Sequence, residues 1–179
     1  MSAYELIRSR RRTLALEITR DCRVLVRAPL RVSQARIDEF VAAHADWTIA
    51  AQLNGDFTQA KAYEETLAYL QSNPAPDVVY CENDNMCFGV MQALDELGIA
   101  YGDGGVTLIS FDAGRTALSY CKDGKIDLCA ECNPLHGPRV RALIEQLARG
   151  ETPEKLSYMP EALFTADTLP AELLESRVY

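Results

Sequence analysis

From residue 47 onward, short apolar runs alternate with stretches that have the periodicity of amphipathic helices. The apolar runs cover residues 78–81, 106–111 and 126–130, and residues 48–53 form a further possible strand. Fully apolar strands separated by helices are typical of a parallel sheet that is covered on both faces. The alternation therefore predicts an α/β fold with three layers for residues 47–179.

The first 46 residues follow a different pattern. Apolar and polar residues alternate in three short runs between residues 4 and 28, with a tight turn at 21–23. Ser33 is a good N-cap for a helix that reaches about residue 45. This pattern predicts a small antiparallel β-meander followed by a helix, and we expect two domains, 1–46 and 47–179.

Charge changes near the same boundary. Residues 1–50 carry nine Arg and six acidic residues, whereas residues 51–179 carry nine basic and twenty acidic residues. The net charge of −8 disfavours nonspecific nucleic-acid binding, so we expect no nucleic-acid partner.

The N-terminus lacks the uninterrupted apolar stretch of a secretory signal, which predicts a cytoplasmic protein for the sequence as written.

Six cysteines occur, and two of them form a CxxC motif at Cys129 and Cys132. Such a motif can serve redox chemistry or supply half of a zinc site. A zinc site needs about four ligands, and the sequence has no second CxxC. We therefore favour buried free thiols, and we expect neither a metal nor a cofactor.

Acidic and amide residues follow each predicted strand of the second domain. They are Asp56 after Gly55, Asn83 and Asp84 after Glu82, Asp112, and Glu131 with Asn133. Ligands of open α/β sheets bind at the carboxyl ends of the strands. Carboxylates and amides without a basic cluster suit a hydroxyl-rich small molecule. For Asp84 and Asp112, capping of the following helix is an equally good explanation.

Several blocks of this region resemble a known family. They include NGDFTQAKAYEETLAYLQSNP, VVYCENDNMCFGVMQALDELG, LISFDAG and DGKIDLCAECNPLHGP. In order and spacing they are similar to the C-terminal portion of type 1 periplasmic sugar-binding proteins of ABC transporters, of the galactofuranose and ribose kind. The resemblance implies that Asn83, Asp112 and Glu131 bind a sugar through hydrogen bonds. Phe57 is a further candidate, with loop packing as its alternative role.

The resemblance also implies a two-lobed hinged fold, and this sequence lacks the family's first lobe and signal peptide. We therefore expect half of that fold: a truncated, non-catalytic module that binds a monosaccharide, either a pentose or a furanose hexose. The implied partner is an ABC transporter permease. A homodimer is a further possibility, because the surface that a first lobe would cover is exposed.

Residues 1–46 resemble the opening of YgjP-type (SprT-like) zinc metallopeptidases, through RSRRRTLALEI and VLVRAP. The HExxH motif of that family is missing, since His44 and His136 are the only histidines. A zincin needs two His on one helix face and a Glu base. The alternatives to sugar binding are a metallopeptidase-related protein without its zinc site and the effector domain of a LacI-type regulator.

Overall fold

The computed structural model describes residues 4–19, 24–43 and 48–179. The chain divides into two compact units, residues 1–52 and 53–179. The predicted domain boundary between residues 46 and 47 stays a prediction. The predicted turn at 21–23, together with His44 and Trp47, lies outside the described residues.

The first unit contains a three-stranded sheet in the order β1-β3-β2, followed by one helix. Its elements are β1 (Glu5–Ser9), β2 (Ala15–Ile18), β3 (Val24–Pro29) and α1 (Gln34–Ala42). The predicted N-cap is confirmed, because the Ser33 hydroxyl accepts the Arg36 N–H at 3.3 Å. Val26, Ala28 and Ile37 form the small core.

The antiparallel β-meander predicted for this unit is wrong. Strand β1 pairs with β3 in parallel, whereas β2 pairs with β3 in antiparallel orientation. Strand β3 is the most apolar of the three and buries Leu25, Val26 and Ala28. A strand of this composition is stabilised by a central position, whereas the charged residues of β1 and β2 suit sheet edges.

The second unit is built on a four-stranded sheet in the order β4-β5-β6-β7. Strands β4 (Val78–Tyr80), β5 (Thr107–Asp112) and β6 (Leu128–Glu131) are parallel, and β7 (Leu163–Phe164) is antiparallel to β6. This arrangement confirms the predicted α/β class with a parallel sheet. The possible strand at 48–53 is wrong, because those residues form no strand.

Five helices accompany the sheet of the second unit. They are α2 (Gln59–Leu70), α3 (Asp84–Leu97), α4 (Arg115–Lys122), α5 (Gly137–Ala148) and α6 (Ala171–Ser176). Helix α3 begins at the N-cap Asn83 and ends at Gly98, whose φ of 65° is the left-handed conformation that glycine adopts readily. Residues 4–19, 24–43 and 48–179 contain no helix that is both long and apolar enough to span a membrane.

The core of the second unit lies between its sheet and helices α3 and α4. Leu94, Leu108, Leu118 and Ile126 are fully buried there. Cys81, Cys87, Cys121 and Cys129 are buried in the same core as free thiols, as the sequence favours for Cys129. The second cysteine of the CxxC motif, Cys132, is exposed.

Candidate functional site

The carboxyl ends of β4, β5 and β6 meet at one edge of the sheet because the three strands are parallel. Asp112 and Glu131 end their strands in register with each other. Asn83 follows β4, and its side-chain amide Nδ2 donates to the carbonyl oxygen of Phe57 at 3.2 Å. The structure thus brings all four predicted site residues to the same edge of the sheet.

Backbone strain is concentrated at this edge. Among the described residues, four non-glycine residues have positive φ: Asp56 (48°), Phe57 (53°), Asp112 (97°) and Ala113 (55°). They form two consecutive pairs, one in the loop that contacts Asn83 and one at the end of β5. Each such residue costs roughly 1–3 kcal/mol, and residues of this kind cluster at binding and catalytic sites.

The Asn83 side chain lies at the carboxyl edge of the sheet and also stabilises the structure through two hydrogen bonds. Its Oδ1 accepts the Met86 N–H at 2.8 Å and thereby caps α3. Its Nδ2 holds the strained loop through the carbonyl oxygen of Phe57. A side-chain amide has two N–H donors, and among the described residues the second donor of Asn83 has no partner.

Asp84 is a structural residue that connects three elements. Its carboxylate accepts the Ser110 hydroxyl at 2.6 Å and the Gly114 N–H at 2.8 Å. Burial raises the pKa of this carboxyl, and the hydrogen bonds from Ser110 and Gly114 act in the opposite direction. The position of Asp112 and Ala113 therefore depends on a buried acid at the start of α3.

Asp112 differs from Asp84 in being exposed. Partial desolvation raises the pKa of its carboxyl, whereas the backbone N–H of Asp84 favours the charged form. It is not the N-cap of α4, which is Gly114, a residue without a side-chain cap. Asp112 therefore presents an acceptor to solvent at the end of β5.

Glu131 is held by the C-terminal residues of the chain. Its Oε1 accepts Arg177 Nη1 at 2.5 Å and the Tyr179 hydroxyl at 2.7 Å, and its Oε2 accepts the Ala162 N–H at 3.2 Å. Burial opposes ionisation of Glu131, but the hydrogen bonds from Arg177 and Tyr179 outweigh it and lower the pKa. Sequence reasoning missed Arg177 and Tyr179, because no local pattern connects them to Glu131.

The segment that carries Arg177 and Tyr179 is fixed by Arg115, the first residue of α4. The Arg115 N–H donates to the Tyr179 carbonyl oxygen at 2.6 Å. Its guanidinium donates to the carbonyl oxygens of Arg177 at 2.8 Å and Glu175 at 2.9 Å. Residues 175–179 are thereby bound to the N-terminus of α4, beside the strand ends.

These groups suit an uncharged ligand that is rich in hydroxyl groups. Asp112 and Glu131 accept hydrogen bonds, and Asn83 has a remaining donor. Phe57, whose carbonyl oxygen accepts the Asn83 amide, is 63% exposed. Within the described ranges no group of three or more His, Cys, Asp and Glu side chains is arranged to hold a metal ion.

The fold and this edge define the second unit as an α/β lobe of the small-molecule-binding kind. The sequence profile of the periplasmic binding protein domain matches residues 28–137, which is more than half of the chain. The chain belongs to this family.

Three relatives illustrate the similarity. The galactofuranose-binding protein YtfQ of Escherichia coli K12 is 32% identical over 124 residues, which are 67% of this chain and 39% of that protein. A crystal structure from Mycobacterium smegmatis in complex with β-D-fucofuranose is 30% identical, with a TM-score of 0.63, and the match covers 74% of this chain and 44% of that one.

The third is the periplasmic binding component of the arabinose ABC transporter from Shewanella sp. ANA-3, bound to α- and β-L-arabinofuranose. It is 25% identical, with a TM-score of 0.68, and the match covers 80% of this chain and 48% of that one. The chain thus spans less than half the length of these relatives. They give no support to the metallopeptidase resemblance of residues 1–46, and the LacI-type regulator stays a prediction.

Proposed function

We propose that this chain binds a monosaccharide in its furanose form at the carboxyl edge of the β4-β5-β6 sheet. It does so as a non-catalytic binding module of a sugar ABC transporter. The observation that carries the proposal is the convergence of Asn83, Asp112, Glu131 and Phe57 on one edge. Further support comes from three relatives that are named for, or solved with, galactofuranose, fucofuranose and arabinofuranose.

Each residue has a role that follows from its chemistry. Asp112 and Glu131 are paired on neighbouring strands, whose backbones are about 4.8 Å apart, and their carboxylates accept hydrogen bonds from two hydroxyl groups of one ring. The second N–H of the Asn83 amide donates to a ring or hydroxyl oxygen. The exposed ring of Phe57 packs against the C–H face of the sugar.

Isothermal titration calorimetry with methyl β-D-galactofuranoside tests the proposal. We expect saturable heat, and none with methyl β-D-galactopyranoside, which differs in ring size. Asp112→Asn should weaken binding about tenfold or more, because a charged acceptor is lost. Asparagine also tolerates the positive φ at this position.

The matched control is Asp103→Asn, which changes an exposed acid before the amino end of β5. We expect this variant to bind as the wild type does. Absence of heat with galactofuranoside, or an Asp112→Asn variant that binds with wild-type affinity, would contradict the proposal. Equal binding of the pyranoside would contradict its furanose part.

The partner that the family resemblance favours is a transporter permease. Co-purification of the sugar-loaded chain with membrane-embedded permease tests it, with the chain in the absence of sugar as the unloaded control. A homodimer is the other predicted assembly, and sedimentation velocity over a range of concentrations tests that. The sequence as written predicts a cytoplasmic protein, and the family a periplasmic or extracellular membrane-anchored one. Fractionation of cells that express the chain decides between them.

A further inference from the structure

We propose that Arg177 is a positioning residue for ligand recognition: it fixes the Glu131 carboxylate so that Oε2 accepts a hydroxyl group of the ligand. This inference rests on the proposed function and extends it to a residue outside the strand ends. Oε1 is occupied by Arg177 and Tyr179. Oε2 accepts only the Ala162 N–H among the described residues, and a carboxylate oxygen accepts about two hydrogen bonds.

Arg177 and Glu131 form a buried ion pair, so each charge depends on the other. The Arg177 side chain is 4% exposed and that of Glu131 is 10% exposed. The Arg177 guanidinium carbon lies 4.6 Å from the ring centre of Tyr179 and 5.7 Å from that of Phe164. Its Nε and Nη2 are buried without a hydrogen-bond partner in the described part of the chain. The interaction of Arg177 with Glu131 therefore runs through Nη1 alone.

Both members of the pair are carried by fixed backbone. The Glu131 N–H donates to the Ala162 carbonyl oxygen at 2.9 Å, beside the β6–β7 pair. The Arg177 carbonyl oxygen accepts the Arg115 guanidinium at 2.8 Å. These hydrogen bonds hold the backbone of Glu131 and the backbone of Arg177 in place. The ion pair between the two side chains therefore sets the orientation of the Glu131 carboxylate.

Arg177 is also the positive charge that balances the acids around Glu131. Asp112 lies opposite on β5, and Glu161 accepts the Asn133 N–H at 3.1 Å just beyond β6. Among the described residues, the other hydrogen-bond donors to the carboxylate are neutral, the Tyr179 hydroxyl and the Ala162 N–H. Without Arg177, burial would be opposed only by the hydrogen bonds from Tyr179 and Ala162, so the pKa of Glu131 would rise. Protonation would then occupy an oxygen that accepts a ligand hydroxyl.

The first experiment needs no ligand. The side-chain carboxyl carbon of Glu131 is followed by NMR through a pH titration of the full chain and its Arg177→Gln and Arg177→Lys variants. We expect the wild type to titrate below the ordinary range of glutamate, Arg177→Gln above it, and Arg177→Lys between the two. Arg141→Gln, an exposed arginine of α5, is the control and should titrate as the wild type does.

The second experiment measures the affinity for methyl β-D-galactofuranoside at pH 8 and pH 5. From pH 8 to pH 5, Arg177→Gln should lose roughly threefold or more affinity beyond any change that the wild type shows, because titration of Asp112 is common to both proteins. A pH-dependent loss separates positioning from a general loss of structure, which would weaken binding equally at both. Arg177→Lys should restore most of the wild-type profile.

An unchanged Glu131 titration in Arg177→Gln would overturn the inference, as would an affinity loss that is equal at both pH values. Should Arg177→Gln fail to fold, Tyr179→Phe removes the other donor to Oε1, and we expect a smaller rise in the pKa of Glu131. Wild-type protein that does not bind the sugar overturns the proposed function, and the titration still decides whether Arg177 controls Glu131.

Discussion

Helices α3 and α5 have similar lengths and both carry apolar residues at helical spacing, yet they differ in burial. Helix α3 buries seven residues, among them Cys87, Val90 and Leu94. Helix α5 buries none, and its Val140, Ile144 and Leu147 are exposed. Helical periodicity therefore predicts an apolar helix face but not whether the structure covers that face.

The difference has energetic consequences. Full burial of a leucine side chain contributes about 1.5–3 kcal/mol, so the packed face of α3 stabilises the second unit. Helix α5 is stabilised instead by local features, such as Pro138 in its first turn and the Arg141–Glu145 salt bridge at 2.8 Å. Local pairs of that kind contribute only a few tenths of a kcal/mol.

The largest expected effect comes from removing a buried leucine. Leu94 is fully buried, so Leu94→Ala should lower the free energy of unfolding by about 2–5 kcal/mol. Leu147, which is 60% exposed on α5, is the matched site, and Leu147→Ala should cost under about 0.5 kcal/mol. Urea denaturation followed by circular dichroism measures both. Similar losses of unfolding free energy in the two variants would contradict the difference between α3 and α5.

The next effect concerns glycines. A Cβ at Gly89 would overlap the Gln59 carbonyl oxygen and meet the Tyr63 nitrogen at 2.8 Å, where α2 packs on α3. Gly89→Ala should therefore destabilise by about 1–3 kcal/mol. A Cβ at Gly137, the first residue of α5, meets no atom within 4 Å. Thermal melting of Gly137→Ala should match or slightly exceed the wild type, and a loss as large as that of Gly89→Ala would contradict the account.

The smallest effect concerns the N-caps. The Asn83 side chain caps α3, whereas His136 makes no side-chain cap for α5. Asn83→Ala should cost about 1 kcal/mol, and His136→Ala should leave the denaturation midpoint almost unchanged. Asn83→Ala also removes the hydrogen bond to Phe57, so proteolysis within residues 54–58 should become faster in that variant only. Equal denaturation midpoints for Asn83→Ala and His136→Ala would contradict this prediction.

Much of the second unit could be predicted because its signals are local. Asn83 and Gly98 mark the two ends of α3, and apolar runs mark β4 to β6. The convergence of Asn83, Asp112 and Glu131 then follows from the rule that ligand sites of parallel sheets lie at the carboxyl ends of the strands.

The errors and omissions concern long-range interactions. Strand β3 lies between β1 and β2 in the sheet and pairs in parallel with β1, a long-range arrangement that no turn pattern indicates. Residues 48–53 are apolar but form no strand, because a strand needs a partner as well as a composition. Glu131 and Arg177 are 46 residues apart in sequence, and only the fold brings them together.

The central claim, that a furanose binds at the carboxyl edge of the sheet, is tested most directly by backbone amide chemical shifts. The chain is titrated with methyl β-D-galactofuranoside and its ¹⁵N–¹H spectrum is followed. We predict saturable shifts at Asn83, Asp112 to Gly114, Glu131 and the loop 54–58, with α5 unchanged. Absence of saturable shifts, or shifts confined to α5, would contradict the account.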